Sequence, residues 1–189
     1  MKFVISFVLV ILVGLAGCAG PQALESRGKS LINADGVVTL LNLHPDMTSP
    51  PRFSAVNWIR PALLPMCTSV TILEVTKKVA KIKNNETGVV YNYFYHKAAA
   101  EPFSDHLKRY FGTECKSDRV AKLSKIDRQG IEKGKALKGM TKEGVIFALG
   151  YPARHVTPST EADTWKYWKG RFDTMNIYFE NGKVSQIVD

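Results

Sequence analysis

The chain has 189 residues, 45% apolar and 23% charged, with 26 basic against 17 acidic side chains and a formal charge of +9. These proportions describe a folded globular protein and exclude disordered, collagen-like and multi-span membrane chains. The apolar residues are unevenly placed, because Phe3 to Gly17 carries no charge or amide while the remainder is ordinary.

At the amino terminus Lys2 supplies a positive region, Phe3 to Val13 an apolar region, and Leu15-Ala16-Gly17-Cys18 a cleavage zone of small residues. This is the layout of a secretory signal peptide over residues 1–17. A membrane-spanning helix needs about 20 apolar residues, and Pro21, Gln22, Glu25 and Arg27 follow too soon; a retained anchor is the alternative. Leu15-Ala16-Gly17-Cys18 also resembles the bacterial lipoprotein lipobox. The resemblance implies that Cys18 is diacylated, that the bond before it is cut, and that the new amine is acylated. Two or more chains anchor a protein stably where one does so only marginally. Ordinary secretion with an incidental cysteine is the bland alternative. Removal of Lys2 lowers the formal charge from +9 to +8.

Residues 18–35 are polar, contain Gly20, Pro21, Ser26, Gly28 and Ser30, and show no sustained period, so they are expected to be a lipidated tether. Fully extended, such a tether reaches at most about 60 Å. Gly28-Lys29-Ser30 lacks the earlier glycine of a phosphate-binding loop, since position 23 is Ala, and no nucleotide site is assigned.

Residues 36–120 are expected to be a β-rich domain with one short helix. Strands are predicted over 37–41, 69–75, 78–83 and 89–95, with a Pro-rich irregular stretch after the first and a turn at Asn84-Asn85-Glu86-Thr87-Gly88. The strand at 89–95 has apolar residues on both faces, which makes it central or places one face against a partner. Glu101-Pro102 opens a helix with Phe103, Leu107 and Tyr110 or Phe111 on one side, and Gly112 ends it. Export leaves Cys67 and Cys115 as the remaining thiols in an oxidising compartment, and an even pair there favours a disulfide worth roughly 4 kcal/mol in the loop-entropy picture. Two unpaired buried thiols are the alternative.

Residues 121–189 carry the most legible pattern. A helix is predicted from Ile126 to Leu137 with Gly130 and Gly134 four apart, followed by a second helix capped by Thr141 and ended by Gly150-Tyr151-Pro152. Glycine inside a helix costs about 1 kcal/mol against alanine, so either another backbone packs on that face or the helix is weaker than drawn. Trp165 to Trp168 reads as a strand, and 175–180 with 183–188 as a hairpin turning at Asn181-Gly182. That turn pairs Glu180 with Lys183, Phe179 with Val184, Ile177 with Gln186 and Met175 with Val188.

The order of these elements resembles the BamE-like (SmpA/OmlA) family. The matching residues are Gly139-Met140-Thr141, Val145, Leu149-Gly150-Tyr151-Pro152, Trp165-Lys166-Tyr167, Ile177-Tyr178-Phe179 and Asn181-Gly182-Lys183-Val184. The resemblance implies two helices packed on a three-stranded antiparallel sheet. In that family the module occurs in lipoproteins on the periplasmic side of the outer membrane, one of them an accessory subunit of the β-barrel assembly machine. This chain departs from that subunit by its long β-rich insertion between tether and module. Ala19, rather than aspartate, follows the anchor cysteine, which by resemblance favours the outer membrane.

His44, His96, His106 and His155 are scattered, with no helical pair at zinc spacing, and no Gly-x-Ser-x-Gly elbow occurs. No catalytic residue, metal site or cofactor is therefore assigned. Between Lys116 and Lys142 nine basic residues face three acidic ones. Lys122, Lys125, Arg128, Lys133, Lys135 and Lys138 form either a solvated face or a seat on anionic lipid headgroups; export disfavours nucleic acid. Trp165, Tyr167, Trp168, Arg171 and Phe172 either pack on the helices or present a protein-binding hot spot.

The sequence therefore points to an α+β exported lipoprotein, a β-rich part followed by a BamE-like module, acting without catalysis as a binding or scaffold component of the envelope in outer-membrane protein assembly or envelope integrity. A lipid anchor and an envelope protein are the expected partners. Binding of peptidoglycan or another envelope glycan, and hydrolysis at an unrecognised site, are the alternative functions.

Overall fold

The computed structural model describes residues 21–189; the signal peptide expected over 1–17 and the lipidation expected at Cys18 lie outside the described residues. In chain order the elements are β1 (Glu25–Ser26), β2 (Lys29–Ser30), β3 (Val38–Thr39), β4 (Arg52–Ser54), β5 (Val70–Val75), β6 (Val79–Asn84) and β7 (Val90–Phe94). There follow α1 (Phe103–Tyr110), β8 (Phe111–Gly112), α2 (Ser117–Ala121), α3 (Lys125–Lys133), α4 (Lys142–Leu149), β9 (Thr164–Trp168), β10 (Thr174–Glu180) and β11 (Lys183–Val188). The class is α+β.

Alternation along the strands builds the first sheet, ordered β4-β7-β6-β5. Val70, Ile72, Val75, Ala80, Ile82, Tyr91 and Tyr93 turn inward and are buried, while Lys81, Lys83, Val90 and Phe94 face out. Amphipathic α1 covers the inner face with Phe103, Leu107 and Tyr110. β7 is central, as its two apolar faces predict, but its neighbour β4 lies within the Pro-rich stretch expected to be irregular and pairs with β7 in parallel through Arg52, Phe53 and Ser54.

The segment expected to be a tether belongs to the fold from Gln22 onward. The Gln22 N–H donates to the Val75 carbonyl at 2.7 Å, and Asn33 donates to Ile72 at 2.8 Å. Between them β1 and β2 form a small hairpin, and Leu24 and Leu31 are 0% and 1% exposed. Two isolated leucines in polar surroundings gave no periodic signal, yet each buries against the edge of β5. Cys67 and Cys115 are joined by a disulfide with a Cα–Cα distance of 5.1 Å.

α3 and α4 pack beside a second sheet, the antiparallel β11-β10-β9. α3 is shorter than predicted: it stops at Lys133, and Gly134 is its left-handed cap (φ 60°) rather than a helical residue. Gly130 does meet close neighbours, the side chain of Met140 and the backbone carbonyl of Lys135. Thr141 caps α4 as predicted, its hydroxyl accepting from the Gly144 N–H at 3.0 Å.

The hairpin pairs Glu180 with Lys183 and Phe179 with Val184, but a bulge then shifts the register, so Tyr178 faces Gln186 and Ile177 faces Ile187. The extra residue, Ser185, accommodates the shift and bends the strand. Ile177 and Val184 stay buried on the core side.

The boundary drawn between 36–120 and 121–189 is not a gap in packing, because one hydrophobic core runs through both. Buried side chains stitch the halves together: Asn42 Nδ2 donates to the Ile131 carbonyl at 2.7 Å, and Asn57 Nδ2 donates to Leu149 at 2.7 Å and Tyr151 at 2.9 Å.

Candidate functional site

The seam between the two halves opens into a groove of about 570 Å³. Its apolar lining comes from Ile59, Pro61 and Leu63 on one side, and Ala136, Leu149, Met175 and Ile187 on the other. The extended segment after Asn57 reaches the groove because Trp58 bridges to Trp168 and the Ile59 N–H donates to the Trp168 carbonyl at 2.7 Å. Gly134 narrows the groove, since a Cβ there would stand 2.8 Å from Leu63 Cδ1 and 3.1 Å from His44 Cε1.

Charges sit at the rim. Arg60 is engaged, donating from Nη1 to the Lys169 carbonyl at 3.0 Å and lying 3.4 Å from Asp46 Oδ2. Lys169 lies 3.6 Å from both Asp173 and Asp189. Lys133 and Lys135 are exposed and have no ion-pair partner among the described residues. An apolar trough with free cations at its lip has the composition to receive an apolar side chain or acyl tail carried beside a negative charge.

His44 is buried at the end of this groove, with Nδ1 at 3.2 Å from the Arg60 carbonyl and Nε2 at 3.0 Å from the Ala148 carbonyl. Burial lowers its pKa against the opposing pull of the two carbonyls, so the ring is neutral, and its single N–H donates to one of the two carbonyls at a time, according to tautomer.

A second buried polar cluster lies under α1. His106 Nδ1 is 2.7 Å from Glu101 Oε1, and Tyr93 Oη is 2.8 Å from His106 Nε2. Burial lowers the His106 pKa in spite of the Glu101 hydrogen bond and charge. The neutral tautomer that fits donates from Nδ1 to Glu101 and accepts at Nε2 from the Tyr93 hydroxyl, which burial holds protonated. Burial would raise the Glu101 pKa, but His106 and Arg109 together hold it below the usual range. Arg109 bonds Glu101 directly and covers the Tyr151 ring at 4.3 Å. This network fastens α1 to β7 and to the loop after α4.

The predicted aromatic site divides. Trp165 and Tyr167 are wholly buried, the Tyr167 hydroxyl donating to the Gly150 carbonyl at 2.9 Å, so they cannot meet a partner. Trp168 is half-buried and stacks on His155 at 5.9 Å. The outer edge of β9 is not free either, being covered at Trp168 by Ile59 and at Lys166 by the Thr157 hydroxyl. Arg171 and Phe172 do stand in solvent, Phe172 at 87% exposure with the Arg171 guanidinium 5.2 Å from its ring. Their turn, 169–173, supplies Lys169 and Asp173 to the groove rim.

Of the basic candidates, all six are exposed, but they do not share one surface role. Arg128 caps the end of α2, donating to the Ala121 and Leu123 carbonyls at 3.0 and 2.7 Å. Lys133 and Lys135 belong to the groove; Lys122, Lys125 and Lys138 make no ion pair among the described residues. The groove itself was invisible in the sequence, because its lining comes from six separated segments.

No family model matches the chain, and neither curated proteins nor solved structures give a match to it.

Proposed function

We propose that the chain is an exported lipoprotein of the cell envelope, held through acyl chains on Cys18 at the periplasmic face of the outer membrane, and that it works without catalysis as a binding or scaffold component. The observation that carries the binding role is the groove between the two halves, with Lys133 and Lys135 at its lip and the exposed Arg171-Phe172 turn beside it. Apolar surface framed by arginine and an exposed aromatic is the composition of a protein-binding hot spot. The Cys67–Cys115 disulfide supports an extracytoplasmic location, since such bonds persist in oxidising compartments.

Two helices followed by an antiparallel three-stranded sheet agree with the BamE-like reading of 121–189, and with it a role in outer-membrane protein assembly or envelope integrity. Fold alone does not carry function, so the partner is sought at the groove. The test is affinity purification of the full-length protein from solubilised membranes, in parallel with Lys133→Glu/Lys135→Glu and Phe172→Ser. A partner retained by wild type and lost from these variants supports the reading. Equal capture by all of them contradicts it.

The glycan alternative has one observation in its favour: a smaller pocket of about 170 Å³ where Trp58, Phe94 and Tyr95 lie beside Asp46 and Arg52. Aromatic surface beside hydrogen-bonding groups suits a sugar. Retention of the protein on isolated cell walls, lost in Trp58→Ala, would favour that reading.

A further inference from the structure

Between Cys18 and Gln22 the sequence places only Ala19, Gly20 and Pro21. Even fully extended, this spacing keeps Gln22 within about 14 Å of Cys18. Gln22 is already fastened to the carbonyl of Val75, at the carboxy-terminal end of β5. The anchor therefore selects one end of the first sheet.

That end is basic. Thr76 closes the β5–β6 turn by donating to the Val79 carbonyl at 2.8 Å, which leaves Lys77 and Lys78 exposed at the tip. The Tyr95 N–H donates to the Lys78 carbonyl at 2.8 Å and brings exposed Lys97 to the same end. None of the three has an ion-pair partner among the described residues, whereas Glu74 is paired with Lys81 and Glu101 is buried against His106 and Arg109. The run from Lys116 onward starts instead at Cys115, tied by the disulfide to Cys67 beyond the opposite end of β5, about 17 Å away along the strand. Attraction of lysine to an anionic leaflet fades within a Debye length of about 10 Å, so position relative to the anchor decides which lysines feel it.

We infer that Lys77, Lys78 and Lys97 seat the folded body on an anionic lipid surface, with the sheet end at Val75 toward the membrane and the Lys116–Lys138 stretch turned away from it. This rests on acylation of Cys18. The seat fixes which way the groove faces, and so sets the orientation in which a partner is met.

The test uses the full-length lipidated protein in detergent, in phosphatidylcholine vesicles, and in vesicles of phosphatidylglycerol mixed with phosphatidylcholine. A water-soluble amine-acetylating reagent is applied, and mass spectrometry reads every lysine and the Cys18 peptide. The Cys18 peptide is expected to carry acyl chains, and Lys77, Lys78 and Lys97 to acetylate about fivefold more slowly on anionic vesicles than in detergent, with Lys122 and Lys125 unchanged. In Lys77→Glu/Lys78→Glu, Lys97 regains its detergent rate while the protein stays on the vesicles. Acylated protein whose Lys77 and Lys78 label at the detergent rate, or whose protection falls on Lys122 and Lys125, overturns the seat. An unacylated Cys18 overturns the anchor and the seat together, and the peptide mass tells that failure from the other.

Discussion

Leu31 donates its backbone N–H to the carbonyl of Leu24 at 2.8 Å, and both side chains are buried to within 1% of full. This pair turns a stretch that is polar in sequence into part of the core. Leu24→Ala and Leu31→Ala are each expected to destabilise the protein by about 2–5 kcal/mol, the range for buried leucine truncation. A free tether would change stability by no more than about 0.5 kcal/mol. Urea denaturation of the purified variants separates the two.

The disulfide makes a second prediction. Cys67 and Cys115 are 48 positions apart, and losing the bond in Cys67→Ala/Cys115→Ala should lower stability by up to about 4 kcal/mol. Unfolded, unreduced protein should show no free thiol. Two titratable thiols per chain would contradict the pairing.

Gly144 should resist the substitution that normally helps a helix. Glycine to alanine in a helix interior usually stabilises by about 1 kcal/mol, but here a methyl group would overlap the Asp127 carboxylate. That carboxylate is fully buried and accepts from the Thr141 N–H at 2.7 Å and the Ser124 hydroxyl at 2.6 Å, joining the starts of α3 and α4. Gly144→Ala is therefore expected to destabilise by about 1–3 kcal/mol, measured by thermal or urea unfolding. A gain in stability would show that the two helices do not meet there.

Acid should weaken the fold in two stages. His44 and His106 are held below the usual 6.5, mainly by burial. Between 6.5 and their folded values the unfolded chain binds more protons, so stability falls as pH drops below 6.5. Glu101 is held below the usual 4.5 by His106 and Arg109 against the effect of burial, so its contribution is present above 4.5 and is lost as pH falls through its folded value. Urea midpoints measured at about pH 8, 6 and 5 should decline, and His106→Gln should flatten the first stage. A midpoint independent of pH over that range would contradict the neutral buried imidazoles.

The elements that were legible in the sequence are those whose cues are local. Asn181-Gly182 announced its turn, with φ 50° and 73°, and Thr141 and Gly150 marked the ends of α4. The three longer strands of the amino-terminal half, β5, β6 and β7, followed from alternation and turn residues, whereas of the strand expected over 37–41 only Val38–Thr39 forms. The misses are non-local. β4 is three residues long and exists because β7 accepts it in parallel. The Ser185 bulge depends on keeping Ile177, Phe179 and Val184 inward together, which turn chemistry alone does not encode. Alternation showed that Trp165 and Tyr167 share a face, but only packing against the helices decides that this face is the buried one. His106 was one of four scattered histidines until α1 brought it between Tyr93 and Glu101.

The proposed function turns on Cys18, because acylation there would convert a folded body with a groove into an envelope component of fixed orientation. The most direct measurement is membrane fractionation of wild type and Cys18→Ala expressed with their own signal, together with the mass of the Cys18 peptide. Wild type is expected in the membrane fraction with acyl chains on Cys18, and the variant in the soluble extract. An unmodified Cys18 peptide, or a variant that stays on the membrane, would contradict the account.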